Sequence, residues 1–283
     1  MSQEKVLRDV VSYVRRGDRL NNTQQKAWDS WRERFVIELP AAARKTSIAP
    51  DARVDFAKEF GRDAPLLVEV GTGNGVAIAA LAKAHPDANV LGFEVFIPAV
   101  ASTLSRLRRE EISNVRMINA DAEQGFETLF DEQPITELWT FFPDPWHKKK
   151  HRKRRIVNPR FAHSAATHLV LGGRWRLATD WEDYAQWIRD VLAEEPLLRE
   201  EFSKEAPRWE LRPITRFEQR AIDAGREVVD LSYVRVAAKG AEEIPGQAWN
   251  DVGIRSEIGG QGDCAPSGVN ACNGTEKAAD DQA

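Results

Sequence analysis

The chain has 283 residues, 42% hydrophobic and 30% charged, enough for one large globular domain with a full core. No apolar run approaches the roughly 18 residues that a membrane-spanning helix needs, and the charged N-terminus lacks the apolar stretch of a secretory signal, so the sequence predicts a cytoplasmic protein with no membrane partner. The net charge of -4 argues against a nucleic-acid partner only as an average, because positions 241–283 hold eight acidic and two basic residues and leave the rest of the chain net positive.

In chain order, positions 1–45 are polar and basic, carry Trp28 and Trp31 in a helical stretch, and are read as an arm leading into the core. Positions 46–240 alternate short apolar runs with amphipathic segments. Strands are predicted at 66–70, 90–95, 115–120, 137–142, 174–179 and 228–238, and helices at 76–84, 98–111, 158–171 and 181–193. Pro98 sits in a first helical turn, and the pair Gly172-Gly173 is expected to end the third helix. Alternation of this kind predicts an α/β fold with a parallel sheet covered on both faces. Positions 241–283 are rich in Gly, Ala, Asn, Asp and Gln and are expected to be a disordered tail, since they bury too little apolar surface to offset chain entropy. The two cysteines, Cys264 and Cys272, lie there; they suggest neither a disulfide framework nor a metal site, and no metal is expected.

The first chemical signature is Glu69-Val70-Gly71-Thr72-Gly73-Asn74-Gly75, where a buried strand meets a glycine loop. Glycines let the backbone turn sharply and a ligand approach closely. Alone, the loop fits nicotinamide dinucleotides, flavins and S-adenosylmethionine alike. Glu69 shifts the balance, because a carboxylate at the strand tip suits a sulfonium and an α-ammonium and would repel a pyrophosphate. Val76 also stands at the third-glycine position of the dinucleotide fingerprint. Glu94 ends the second strand, placed to accept from ribose hydroxyls, and Asp121 ends the third, placed for an adenine amino group. A single acid at a strand end is usually a solvated loop residue; three at successive strand ends make a pocket.

The second signature is Phe141-Phe142-Pro143-Asp144-Pro145-Trp146-His147, followed by Lys148, Lys149, Lys150, His151, Arg152, Lys153, Arg154 and Arg155. The prolines stiffen the loop around Asp144, which follows the fourth strand and is expected over the cofactor pocket. A rigid carboxylate beside aromatic rings suits a purine, and the basic run suits phosphates. On its own such a run reads as a solvated face or a localisation signal; its place directly after a pocket loop favours RNA. Further on, Thr215-Arg216-Phe217-Glu218 reads equally as a helix capping box and as a substrate contact.

Together these segments resemble the bacterial tRNA (guanine-N7)-methyltransferase family, over positions 12–239. The match extends to Ala178-Thr179-Asp180-Trp181, to the stretch from Pro213 to Arg220 followed by Gly225, and to Ser12-Tyr13 through Leu20 with Gln24. His147 departs from a common proline, predicting a looser loop, and Asp18 and Asn21 stand where Gly and Thr are usual. The resemblance implies a Rossmann-like, seven-stranded class I methyltransferase sheet with helices on both faces. It implies methyl transfer from S-adenosyl-L-methionine, leaving S-adenosyl-L-homocysteine, to guanine-46 in the tRNA variable loop. Carried over position by position, it implies that Glu69, Gly71, Gly73, Gly75, Glu94, Asp121 and Asp144 bind the cofactor, with Asp144 catalytic. Lys148, Asp180, Thr215, Arg216, Phe217 and Glu218 would contact the substrate guanosine, and Lys150, His151, Arg152, Lys153, Arg154 and Arg155 the RNA. Alternatives weighed on the residues are methylation of another RNA, a non-catalytic RNA-binding protein of the same fold, and a nicotinamide oxidoreductase. Nothing legible in the sequence specifies an oligomeric state.

Overall fold

The computed structural model describes residues 11–13, 17–40, 42, 46–130, 134–203 and 205–237. The tail expected at 241–283, both cysteines, and positions 14–16 of the arm lie outside the described residues.

Helix α1 (Asn22–Phe35) opens on a capping box: Asn21 accepts from the Gln24 backbone N–H while Gln24 accepts from that of Asn21. Asn21 therefore caps the helix as a threonine could. A short helix α2 (Phe56–Phe60) precedes the alternating units β1 (Leu66–Val70), α3 (Val76–Ala84), β2 (Asn89–Phe93), α4 (Ile97–Arg109), β3 (Val115–Ile118), α5 (Ala122–Thr128) and β4 (Ile135–Phe141). A 3-10 turn, η1 (Lys149–Arg154), then leads to α6 (Pro159–His168), β5 (Leu169–Thr179), α7 (Glu182–Ala193), β6 (Leu198–Glu200), α8 (Arg216–Asp223) and β7 (Val229–Arg235).

The strands form one sheet in the order β3-β2-β1-β4-β5-β7-β6. Successive residues of β1 serve opposite faces: Leu66, Val68 and Val70 join the core that holds Phe126, Phe161 and Trp175, while Leu67 joins the core of α3 and α4. Period two puts Glu69 on the Leu67 side, against the start of α3.

Two expectations are corrected. The sheet is mixed, because β7 runs antiparallel to both β5 and β6. The segment between β6 and β7 lies at the carboxyl edge of the parallel strands, so β7 must run back. The same detour hangs α8 over the edge where ligands bind in such folds. Second, Gly172-Gly173 does not end a helix: α6 stops at His168 and β5 runs through the pair. Gly172 has φ 78, and a Cβ on Gly173 would lie 2.9 Å from the Thr136 carbonyl oxygen. The glycines thus mark an irregular, closely approached strand rather than a helix stop.

Candidate active site

The ends of β1, β2 and β4 and the starts of α3, α5 and α8 surround a cleft of about 350 Å³, within the usual range of small-molecule sites, roughly 300–1,000 Å³. Glu69, Gly71, Gly73, Glu94, Asp121 and Asp144 all line it.

Glu69 is only 2% exposed. Among the described residues its Oε2 has no hydrogen-bond partner. Burial, and then the nearby charge of Glu94, push the carboxyl up to about 8, against a smaller pull from the Ile78 backbone N–H. A buried acceptor facing a cleft without a partner is an address for a ligand donor or cation. Thr72, in the same lining, has a buried Oγ1 that also lacks a partner among the described residues.

Glu94 holds the glycine loop. Its Oε2 accepts from the Gly73 N–H at 2.8 Å and its Oε1 from the Phe96 N–H at 2.9 Å. Burial raises its pKa; the backbone N–H groups of Phe96, Gly73 and Val95 oppose the rise, and the Asp144 charge adds to it. A carboxylate offers about four lone-pair sites, so room remains for a ribose. Asp121 caps α5, accepting from the Glu123 N–H at 3.1 Å. Gly75 does not line the cleft. It starts α3 at φ 72 with the Thr103 side chain 2.6 Å from where a Cβ would stand, so any other residue both strains and collides.

The Asp144 loop is bracketed by two aromatic residues with left-handed backbone, Phe142 (φ 51) and Trp146 (φ 46). Such conformations persist only where the surroundings over-determine them. At one end the Phe142 N–H bonds the Ala178 carbonyl at 2.7 Å. At the other, Trp146 Nε1 donates to the Ser12 carbonyl at 2.9 Å, and the Arg154 guanidinium lies 3.6 Å from the Trp146 ring centroid. His147 packs against Trp181 with ring centroids 3.9 Å apart, so the position that departs from proline is itself held by packing.

The basic run divides. Lys148, Lys149, Lys150 and Lys153 are exposed and form no ion pair among the described residues. His151 meets the Trp146 ring edge-on at 5.8 Å. Arg152 pairs with Asp183 at 2.7 Å. Arg154 donates to the carbonyls of Val11, at 2.8 Å, and Tyr13. Arg155 is buried, bonded to the Pro145 carbonyl and Asp183. Arg155, expected to contact RNA, is thus closed off from solvent by protein partners in this structure. Arg152 and Arg154, half-buried, are already engaged.

At α8, Thr215, Arg216, Phe217 and Arg220 line the cleft. Thr215 is the N-cap, accepting from the Glu218 N–H at 3.3 Å. Glu218, expected at the substrate, is 2% exposed, faces inward and is bonded to Arg208 at 2.9 Å and Arg212 at 2.7 Å. Arg212, fully buried, also grips Asp230 at 2.8 Å and stacks near Phe141 and Phe142. Lys148 and Asp180 stand outside the cleft lining, and Asp180 pairs with Arg226 at 2.9 Å. The sequence reading missed Arg212, Asp183 and Thr72 as contributors. Thr72 was in plain view inside the glycine loop; the other two carry no local pattern.

A doubly wound sheet whose strand tips present Glu69, Glu94 and Asp121 around a glycine loop defines an S-adenosylmethionine-dependent methyltransferase of class I fold. The family described as "Putative methyltransferase" matches residues 63–231. A tRNA (guanine-N(7)-)-methyltransferase of Cutibacterium acnes is 49% identical over 83% of this chain and 86% of its own. The corresponding protein of Nocardioides sp. is 44% identical over 82% and 90%. The chain belongs to the tRNA (guanine-N(7)-)-methyltransferase family. Among solved structures, the 16S rRNA methyltransferase KamB is 16% identical with a TM-score of 0.51, covering 64% of this chain and 93% of its own, which is a likeness of fold alone.

Proposed function

We propose that the protein methylates N7 of guanine-46 in the tRNA variable loop, in the cytoplasm where tRNA is met. The observation that carries the reading is a stiff loop that presents Asp144 to the same cleft as the buried, unpartnered Glu69 oxygen, with four exposed lysines beginning four residues further on. The family relatives, named as tRNA (guanine-N(7)-)-methyltransferases, support the coarser reading of methylation at N7 of a tRNA guanine.

When bound, S-adenosylmethionine supplies an electrophilic methyl group on a sulfonium. Glu69 would receive its positive end, Glu94 the ribose hydroxyls and Asp121 the adenine amino group. Guanine N7 carries its own lone pair, so no residue has to remove a proton. The chain's contribution is alignment, which can supply roughly 7–11 kcal/mol when near-attack geometry is held. Positive charge then develops on the guanine ring, and the Asp144 carboxylate stabilises it. Phe217 and Arg216 at the cleft mouth suit stacking and phosphate or ribose contact.

The test is single-turnover methylation by Asp144→Asn and Asp144→Ala. Both are expected to be slow; an Ala variant as fast as wild type removes Asp144 from the mechanism. A transcript with adenine at position 46 should yield no N7-methylguanosine by nucleoside mass analysis. Methylation elsewhere on that transcript would refute the position.

A further inference from the structure

Arg155 closes the basic run, yet its side chain is 0% exposed. Its Nε donates to the Pro145 carbonyl at 2.9 Å. Its Nη2 donates to Asp183 Oδ2, and its Nη1 reaches the Asp183 carbonyl at 3.5 Å. The rings of Tyr184 and Trp187 lie 4.7 and 5.3 Å from the guanidinium carbon. The far side of this arrangement is firm: Tyr184 is fully buried in the core, and its hydroxyl accepts from the Val157 N–H at 3.3 Å.

Pro145 follows Asp144 directly, inside the loop bracketed by the left-handed Phe142 and Trp146. Without ties at both ends, such a loop relaxes out of that conformation. The Phe142–Ala178 bond holds the entry, and at the exit Arg155 holds the Pro145 carbonyl beside the Trp146–Ser12 bond. A guanidinium suits this place, because its planar fork reaches a carbonyl and a carboxylate in different directions while lying against two aromatic rings; an ammonium is a single point.

We infer that Arg155 is a positioning residue that clamps the Pro145 carbonyl to α7 and thereby holds the Asp144 carboxylate at the cleft. It is a strut at the end of a run whose lysines face outward. The inference rests on the reading of Asp144 given above.

The experiment compares Arg155→Lys, Asp144→Ala and the double variant with wild type. Arg155→Lys is expected to lower kcat roughly tenfold to a hundredfold, the scale of a small misplacement of reacting groups. Its KM for tRNA and the salt dependence of tRNA binding should be unchanged. In the Asp144→Ala background the same substitution should cause no further loss in single-turnover rate. Asp183→Asn, which removes the charge of a half-exposed side chain and keeps its shape, should lower kcat without weakening tRNA binding. A salt slope reduced by about 0.7 for Arg155→Met, which removes the charge that lysine keeps, would make the residue a phosphate contact and overturn the inference. So would an unchanged kcat, or losses that multiply with Asp144→Ala. If Asp144→Ala alone is slow while Arg155→Lys is fast, only the strut fails; if Asp144→Ala is as fast as wild type, the role of Asp144 fails with it.

Discussion

Glu94 Oε2 accepts a hydrogen bond from the Gly73 backbone N–H at 2.8 Å, tying the tip of β2 to the loop that follows β1. The carboxylate that is expected to hold the ribose also shapes the glycine loop. Glutamine cannot take its place, since both Glu94 oxygens accept from N–H groups and the amide would turn a donor towards one of them. Glu94→Gln should therefore weaken S-adenosylhomocysteine binding about tenfold to a hundredfold, the worth of a charged hydrogen bond. Calorimetric titration measures this; affinity within twofold of wild type contradicts it.

Glu69 is held near 8 in the folded protein against a usual 4.5. The folded state keeps a proton that the unfolded chain gives up. This group's contribution to stability is therefore complete below about 4.5 and is lost as pH rises to about 8. A cationic methyl donor favours the ionised form, so its binding near pH 7 should release protons. Titrations in buffers of different ionisation heat should detect that release in wild type and lose it in Glu69→Gln. The same variant should show a flatter dependence of melting temperature on pH between 4.5 and 8. Unaltered proton release would assign the linkage to another group.

Arg212 neutralises two carboxylates, Glu218 and Asp230, that are 2% and 9% exposed. Arg212→Met keeps the stem and leaves both acids without that partner. Removing one member of a buried ion pair costs about 3–5 kcal/mol, so denaturant unfolding should show a loss of that size. A loss under about 1 kcal/mol would mean that solvent or rearrangement replaces the guanidinium.

Lys148, Lys149, Lys150 and Lys153 face solvent without acidic partners among the described residues. If they follow an RNA backbone, each should contribute about 0.7–0.9 to the slope of log affinity against log salt. Replacing all four with alanine should flatten the slope and raise Kd for tRNA while leaving single-turnover chemistry at saturation intact. A slope equal to wild type would place the RNA elsewhere.

Much of this is legible in the amino-acid sequence. The limits of β1 and α3 fall where the apolar runs and the glycine loop put them, because a buried strand and the helix after it leave local marks. The antiparallel β7 and the short β6 did not announce themselves. An apolar strand reads alike in either direction, and Leu198–Glu200 is too brief to show a period. The end of α6 was misplaced because a glycine pair looks the same at a helix stop and in an irregular strand.

By itself the sequence determined which chemistry is present: acids at strand tips, a proline-stiffened aspartate, and a cluster of lysine and arginine. Only the tertiary structure decided which of those charges meet a ligand and which meet one another. Arg155 and the lysines before it are neighbours of the same sign, yet Arg155 is withdrawn by Asp183, 28 positions away, and Arg212 by Asp230, 18 positions away. A charge is buried where an opposite charge and hydrogen bonds await it, and those partners come from elements that only the completed fold brings together.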